Sequence, residues 1–282
     1  MYQTTISNQY EIKLHEHIIK FCHSLNLKLH DNKFGNKQYT NYQRIALIIL
    51  HMRTNKSLRR FTEELVESKW PNWLGLKQLV TKSTLQRWIK KWTLSYLRQL
   101  LYQTVFSIKP KLMAIDATGF DSWKRSRHYE KRLKQFGVNK PKDNYAKVDL
   151  LVDIKHRLIF DFVLRTKPRH DTLGAKTMIK RFKRKNTLIL ADKGYDSEKL
   201  HNLVVKSGNE LYFQRNIIES INFSLKSRFR SLNSKLHYMK KREFAWKIIT
   251  YNLIKLSELS KVLIQIILKL IIWDRTSETK QF

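Results

Sequence analysis

Short apolar runs alternate with helical patterns throughout the second half of the chain, and this order restricts the fold more than any other feature. The runs begin after Pro110, and the two that flank Lys155 and His156 are close enough to form a hairpin. Strands are predicted at 112–118, 145–154, 157–165, 187–192 and 211–213, with helices after the third, fourth and fifth of them. Three consecutive strands followed by strands that alternate with helices predict an α/β fold with one mixed five-stranded sheet and helices on both faces.

The first half of the chain has helical periodicity. Residues 41–109 predict a helical domain in front of the sheet, and residues 1–40 are interpreted as an N-terminal arm that is helical near 12–29. Within the domain, the segment 75–92 is typical of a helix-turn-helix, because Gly75 opens a turn and Thr81 or Ser83 can cap a helix with an apolar back. Its polar face predicts DNA contacts by Lys82, Gln86, Arg87 and Lys90. A surface helix with solvated charges fits the same pattern.

The charge of the chain indicates a polyanionic partner. There are 56 Lys and Arg residues against 23 Asp and Glu residues, which gives a formal charge of +33. A basic protein within a larger acidic or RNA-containing assembly is the alternative. The only cysteine, Cys22, excludes an intramolecular disulfide framework and indicates a reducing, intracellular setting. The longest apolar run, residues 262–273, is too short to span a bilayer, and we expect no membrane partner.

Two aspartates follow strongly apolar runs. Asp116 occurs in MAIDATG and Asp192 in LILADKGY, so both are expected near strand ends, where open sheets bind ligands. With Glu219 from a nearby helix, they form a set of three acidic oxygen donors without Cys or clustered His. Such a set favours Mg²⁺ or Mn²⁺ over zinc. Each aspartate taken alone is more often a cap or turn residue.

The stretch YFQRNIIESINFSLK, residues 212–226, places reactive and charged side chains at fixed spacing. On a helix, Arg215, Glu219 and Lys226 share one polar face, and Tyr212 joins them only if the helix begins early enough. Arg215 and Glu219 also fit an ordinary ion pair between residues four apart on a solvated helix.

The spacing of Tyr212, Arg215, Glu219 and Lys226 resembles the signature of DDE-type insertion-sequence transposases of bacteria and archaea. The contexts IDATGF, ADKGYDSE and PRHDT also resemble that family, and the resemblance covers roughly residues 58–256. It implies a ribonuclease H-like fold with Asp116 on the first strand, Asp192 after the fourth and Glu219 on the helix after the fifth. Asp192 and Glu219 are 27 positions apart, which leaves room for one helix and one strand and implies the compact version without a β-rich insertion.

The resemblance also implies a reaction. The enzyme would nick the ends of its mobile element and join the freed 3′ hydroxyl to target DNA, using two Mg²⁺ or Mn²⁺ ions held by Asp116, Asp192 and Glu219. Arg215 and Lys226 would grip phosphates, and Tyr212 would contact DNA at the cut. The expected partners are terminal inverted repeats and target DNA, with a homodimer in the DNA complex. The expected location is cytoplasmic, at the nucleoid.

The predicted organisation has four parts: an arm (1–40), a helical DNA-binding domain (41–109), a ribonuclease H-like catalytic domain (110–256), and a C-terminal helix and tail (257–282). Two other functions remain open at this point. One is a catalytically silent DNA-binding derivative that acts as a repressor, and the other is a metal-dependent nuclease. His170 and Asp171 of PRHDT have open roles, which include a cap formed by Asp171 and a surface position for His170.

Overall fold

The structure of the chain is a computed structural model. It describes residues 2–31, 37–122, 135–137, 146–167, 169–214, 218–229 and 231–278, with side chains described between residues 10 and 260 of those ranges. Within these ranges, the sequence first forms a group of helices and then a sheet with helices on both faces.

Six helices precede the sheet. They are α1 (Tyr2–Ser24), α2 (Asn41–Thr54), α3 (Leu58–Glu67), α4 (Trp70–Trp73), α5 (Lys82–Lys91) and α6 (Leu94–Thr104). Four of them begin after a hydroxyl side chain that accepts a hydrogen bond from a backbone N–H of the first turn, at Thr40, Ser57, Thr81 and Thr93. These caps satisfy donors that a helix leaves unpaired at its start, which explains why the helices begin at these residues.

Helix α1 packs into the helical core. It begins and ends earlier than the predicted stretch 12–29, since it spans Tyr2–Ser24. Leu14, Ile18 and Phe21 are buried, and α1 lies against α2 and the last helix of the chain. The buried side of α1 therefore recurs every three to four residues, as expected for a helix that covers a core.

The sheet has five strands in the order β3-β2-β1-β4-β5. The strands are β1 (Leu112–Gly119), β2 (Lys147–Asp153), β3 (Leu158–Arg165), β4 (Leu188–Ala191) and β5 (Glu210–Phe213). β1, β2 and β3 are antiparallel neighbours, and β4 and β5 run parallel to β1. The predicted mixed five-stranded sheet is confirmed, and the arrangement is that of a ribonuclease H-like fold.

Four helices complete the second half of the described chain. They are α7 (Asp171–Arg181), α8 (Glu198–Lys206), α9 (Glu219–Phe229) and α10 (His237–Glu278). Between Asp192 and Glu219, the described elements are a short 3₁₀ turn (Lys193–Tyr195), α8 and β5, so the compact version predicted from the spacing is confirmed. α10 begins well before the predicted boundary at residue 257 and contacts α1, α2, α6 and β3.

Side chains of β1 alternate between two apolar cores. Met113 and Ile115 pack with α7 and α8, whereas Ala114 belongs to the core that includes Leu225 of α9 and Trp246 of α10. This alternation follows from the two-residue repeat of a strand. Helices on both faces therefore cover the sheet, and the face that carries Ala114 also carries the side chain of Asp116.

Candidate active site

Asp116 and Asp192 are brought level by the pairing of β1 with β4. In that parallel ladder Ile115 pairs with Ala191, and the next residues along the two strands are Asp116 and Asp192. β1 pairs with β2 as far as Gly119, so Asp116 lies inside the strand on that side. The pairing of β1 with β4 ends one residue before Asp116. The two aspartates therefore lie side by side at the carboxyl end of β4, as predicted, whereas the prediction that Asp116 ends its strand is wrong on the β2 side.

Glu219 joins the two aspartates at one cleft. It is the first residue of α9, directly after β5 and the segment that follows it. A small cleft of about 130 Å³ is lined by Asp116, Asp192 and Glu219 together with Gln214 and Ile218. The three predicted carboxylates are thus brought together at the carboxyl ends of the parallel strands.

Asp116 is the most enclosed of the three carboxylates. Its Oδ1 accepts a hydrogen bond from the N–H of Ala117 at 2.8 Å, and its Oδ2 accepts one from Nδ2 of Asn222 at 2.9 Å. Burial raises the pKa of Asp116, these two hydrogen bonds act against the rise, and the negative charge of Asp192 adds to it. A positive charge placed in the cleft would therefore stabilise the ionised form of Asp116.

The donor set of the cleft suits hard divalent cations. Three carboxylates offer oxygen ligands of the kind that Mg²⁺ and Mn²⁺ prefer. Within the described ranges, no group of three Asp, Glu, His or Cys side chains has the arrangement of a metal-binding site. Asp192 and Glu219 are exposed, whereas Asp116 is only partly exposed.

Tyr212 and Lys226 lie on different elements of the described structure. Tyr212 lies on β5, as the predicted strand at 211–213 requires, and is 61% exposed, so it does not join the face of the helix. Arg215 lies outside the described residues. Lys226 is exposed on α9, seven residues after Glu219. This separation places it on the same side of the helix, two turns and about 10 Å farther along the axis.

The four residues predicted to contact DNA from the helical domain lie on α5. Lys82, Gln86, Arg87 and Lys90 are exposed or partly exposed, while Leu85 and its neighbours on the opposite face are buried. Thr81 caps the helix as predicted, by accepting a hydrogen bond from the N–H of Thr84 at 3.3 Å. The exposed face of α5 remains a predicted DNA contact.

Sequence reasoning missed a charged network formed by residues of β2, β3 and α7, on the sheet face opposite to Asp116. Arg165 lies between two carboxylates, 2.5 Å from Asp149 and 2.7 Å from Asp171, and Lys147 lies 2.8 Å from Asp171. Burial raises the pKa of Asp149 to about 6, against the lowering effect of Arg165. Burial also acts to raise the pKa of Asp171, but hydrogen bonds from Lys147 and Arg165 lower it below its usual value. The signal in the sequence is an aspartate in the middle of an apolar strand, VDLLVD.

Of the roles left open for His170 and Asp171, the structure shows the surface position of His170 but not the cap by Asp171. His170 is exposed, but it also caps α7, because its ring nitrogen Nδ1 accepts a hydrogen bond from the N–H of Thr172 at 3.4 Å. Asp171 forms ion pairs with Lys147 and Arg165. The cap of α7 is therefore His170 and not Asp171.

One family model matches part of the chain, and the match includes both aspartates of the cleft. Residues 108–208 match the family model described as Transposase DDE domain. Comparison with curated proteins gives no match. No helix in the described ranges is both long enough and apolar enough to cross a bilayer.

Two solved structures resemble the chain at low identity. The piggyBac transposase in a synaptic complex with hairpin DNA is 15% identical with a TM-score of 0.31, over 79% of this chain and 51% of that one. The Mos1 transposase in a paired-end complex with the left transposon end is 12% identical with a TM-score of 0.32, over 82% of this chain and 81% of that one. This chain thus spans about half of the length of the piggyBac transposase.

The family match includes both aspartates of the cleft and ends before Glu219. It is narrower than the stretch over which the sequence itself resembles the family, and it covers β1, β2, β3, α7, β4 and α8. The resemblance of this chain to DDE-type transposases is therefore confirmed, on residues 108–208.

Proposed function

We propose that the chain is a DNA transposase that nicks the ends of its mobile element and joins the freed 3′ hydroxyl to target DNA. The observation that carries this proposal is the cleft at the carboxyl ends of β1 and β4, which is lined by Asp116, Asp192 and Glu219. The match of residues 108–208 to a transposase DDE domain supports the same reaction class.

The three carboxylates would hold two divalent cations, Mg²⁺ or Mn²⁺. When bound there, such ions would activate a water or a 3′ hydroxyl for attack and would stabilise the negative charge on the departing oxygen. The chain itself positions the carboxylates: the β1–β4 ladder sets the distance between Asp116 and Asp192, and α9 brings Glu219 over them. Among the described residues that line the cleft, none is a Ser, Cys or Lys nucleophile, which agrees with direct attack by water or a hydroxyl.

The charge of the chain would hold the DNA. With a formal charge of +33, the protein attracts a phosphodiester backbone at long range. Lys226 lies on the same side of α9 as Glu219, and its positive charge would contact a phosphate near the scissile bond. Lys82, Gln86, Arg87 and Lys90 on the exposed face of α5 would contact the terminal inverted repeats, and a homodimer would hold the two ends together.

A cleavage assay tests this function. The full chain, Mg²⁺ and duplexes that carry the inverted repeats flanking the gene are expected to give nicks at the repeat ends. Asp116→Asn should abolish nicking, because it removes a charge from the cleft. Asp196→Asn should not, because Asp196 is exposed and does not line the cleft.

Three other outcomes would contradict the proposal. Specific binding of the repeats without cleavage would favour a catalytically silent DNA-binding derivative. Equal cleavage of unrelated duplexes would favour a metal-dependent nuclease. Cleavage that survives Asp116→Asn would show that another site is responsible.

A further inference from the structure

One hydrogen bond joins α9 directly to Asp116, the partly buried carboxylate of the cleft. Asn222 follows Glu219 by three residues on α9, and its Nδ2 donates to Oδ2 of Asp116 at 2.9 Å. The other oxygen of Asp116 is held by its own strand, through the N–H of Ala117. Both carboxylate oxygens are therefore fixed, one by β1 and the other by the helix that carries Glu219.

The surroundings of Asn222 make a purely structural role a poor explanation of this residue. Asn222 is 8% exposed, and Ile218, Ile221 and Leu225 beside it are buried apolar residues. Its Oδ1 is buried and has no hydrogen-bond partner in the described structure. A buried amide with an unpaired oxygen is less favourable for folding than an apolar side chain of the same shape. Unpaired buried polar groups of this kind need an explanation, and function is one.

The orientation of the Asn222 amide follows from its partner. An ionised carboxylate only accepts hydrogen bonds, so the NH₂ group must face Asp116 and the oxygen must face away. In this orientation Nδ2 of Asn222 is bonded to Asp116, and Oδ1 of Asn222 is left without a hydrogen-bond partner in the described structure. The needs of Asp116 thus decide how Asn222 is placed.

We infer that Asn222 is a positioning residue, which holds Asp116 in the orientation required for divalent-cation binding and couples it to α9. This inference rests on the proposed function. Residues that orient a metal-binding side chain through a hydrogen bond typically contribute about 10–100-fold to metal affinity or activity. Loss of the amide should therefore weaken cation binding while folding is retained.

The test measures Mn²⁺ binding to the full chain without DNA, by electron paramagnetic resonance of free Mn²⁺. Asn222→Leu keeps the shape of the side chain and removes the donor, and Asn222→Ala removes it without added bulk. Both variants are expected to bind Mn²⁺ about tenfold more weakly or worse. Asn222→Leu is expected to unfold at a temperature close to that of the wild type, because removal of an unpaired buried oxygen offsets the loss of the hydrogen bond to the partly exposed Asp116.

Asn252 offers a matched control. It is a fully buried asparagine of α10, and its side chain makes hydrogen bonds to the N–H and C=O of Ile159 and to Thr104. Asn252→Leu should therefore lower the unfolding temperature and leave Mn²⁺ affinity unchanged. The two asparagines are thus expected to show opposite patterns in the two measurements.

Wild-type affinity in both Asn222 variants would overturn the inference, and so would a loss of affinity that only accompanies a loss of folding. The Mg²⁺ concentration that gives half-maximal nicking is a second readout, and it should rise about tenfold in Asn222→Ala. Failure of the wild type itself to bind Mn²⁺ and to nick DNA would instead contradict the proposed function. The two failures are therefore distinguishable.

Discussion

Gly174 is predicted to be required for the close packing of α7 on β2. A methyl group added at this position would lie 2.6 Å from Cγ of Asp149 and nearer still to its Oδ2. Favourable contacts between carbon atoms lie at about 3.5–4.0 Å, so α7 or the Asp149 side chain would have to move by about 1 Å. Asp149 is fully buried and bound to Arg165, so it has little room to move without losing that ion pair.

The cost of Gly174→Ala can be estimated from these contacts. Overpacking a core costs roughly 1–3 kcal/mol, and a strained or lost hydrogen bond between charged groups costs about 1.5–3 kcal/mol. The higher helix propensity of alanine offsets about 1 kcal/mol of this. The unfolding free energy should therefore fall by about 3 kcal/mol, which corresponds to a melting temperature lower by roughly 6–12 °C.

Thermal unfolding followed by circular dichroism measures this effect. Gly119→Ala is the control, because a methyl group there has no atom within 4 Å, and its melting temperature should stay near that of the wild type. In an Asp149→Ala background, Gly174→Ala should cost much less, since the clashing atoms are gone. Equal melting temperatures for Gly174→Ala and Gly119→Ala would refute the reasoning.

Two further predictions concern His51 and Lys226. Burial lowers the pKa of His51 to about 4, below the unfolded value near 6.5; the stability that the neutral ring contributes is therefore present above pH 6.5 and is lost as pH falls towards 4. Between pH 7 and pH 4.5, the unfolding free energy measured with urea should fall by about 2 kcal/mol less in His51→Gln than in the wild type. Equal falls in the two proteins would contradict a lowered pKa of His51. Lys226→Ala should reduce the slope of log K against log salt for DNA binding by about 1. Lys206 lies on α8, on the other face of the sheet, and Lys206→Ala should leave the slope unchanged. Equal slopes in the two variants would exclude a phosphate contact by Lys226.

The sheet could be predicted from the sequence because its signals are local. Each strand is an apolar run bounded by polar residues, and the observed bounds of β1, from Leu112 to Gly119, differ by one residue from the prediction. Asp116 and Asp192 each follow an apolar run in the sequence, and their level positions depend on the register that pairs Ile115 with Ala191. Two members of the candidate site can therefore be identified from the sequence alone.

The start of α9 could not be predicted in the same way. The face shared by Glu219 and Lys226 fixes no first residue for the helix, and within the described residues α9 begins at Glu219, after β5 has ended at Phe213. The predicted strand at 211–213 is confirmed by its pairing beside β4. The network of Asp149 with Arg165 was hidden for a related reason, because the partners are 16 residues apart and meet only when β2 pairs with β3.

The position of Glu219 depends on constraints different from those that hold the two aspartates. α9 is a helix outside the sheet ladders, and its far end is held by a buried ion pair of α10. Lys247 donates to the carbonyl groups of Phe229 and Ser231 at 3.1 and 2.6 Å, and Glu243 accepts from the N–H groups of residues 233 and 234. Removal of one charge of a buried pair leaves the other uncompensated. Removal of the Lys247 charge would therefore loosen the connection after α9, and with it the helix that brings Glu219 to the cleft, while the β1–β4 ladder stays intact.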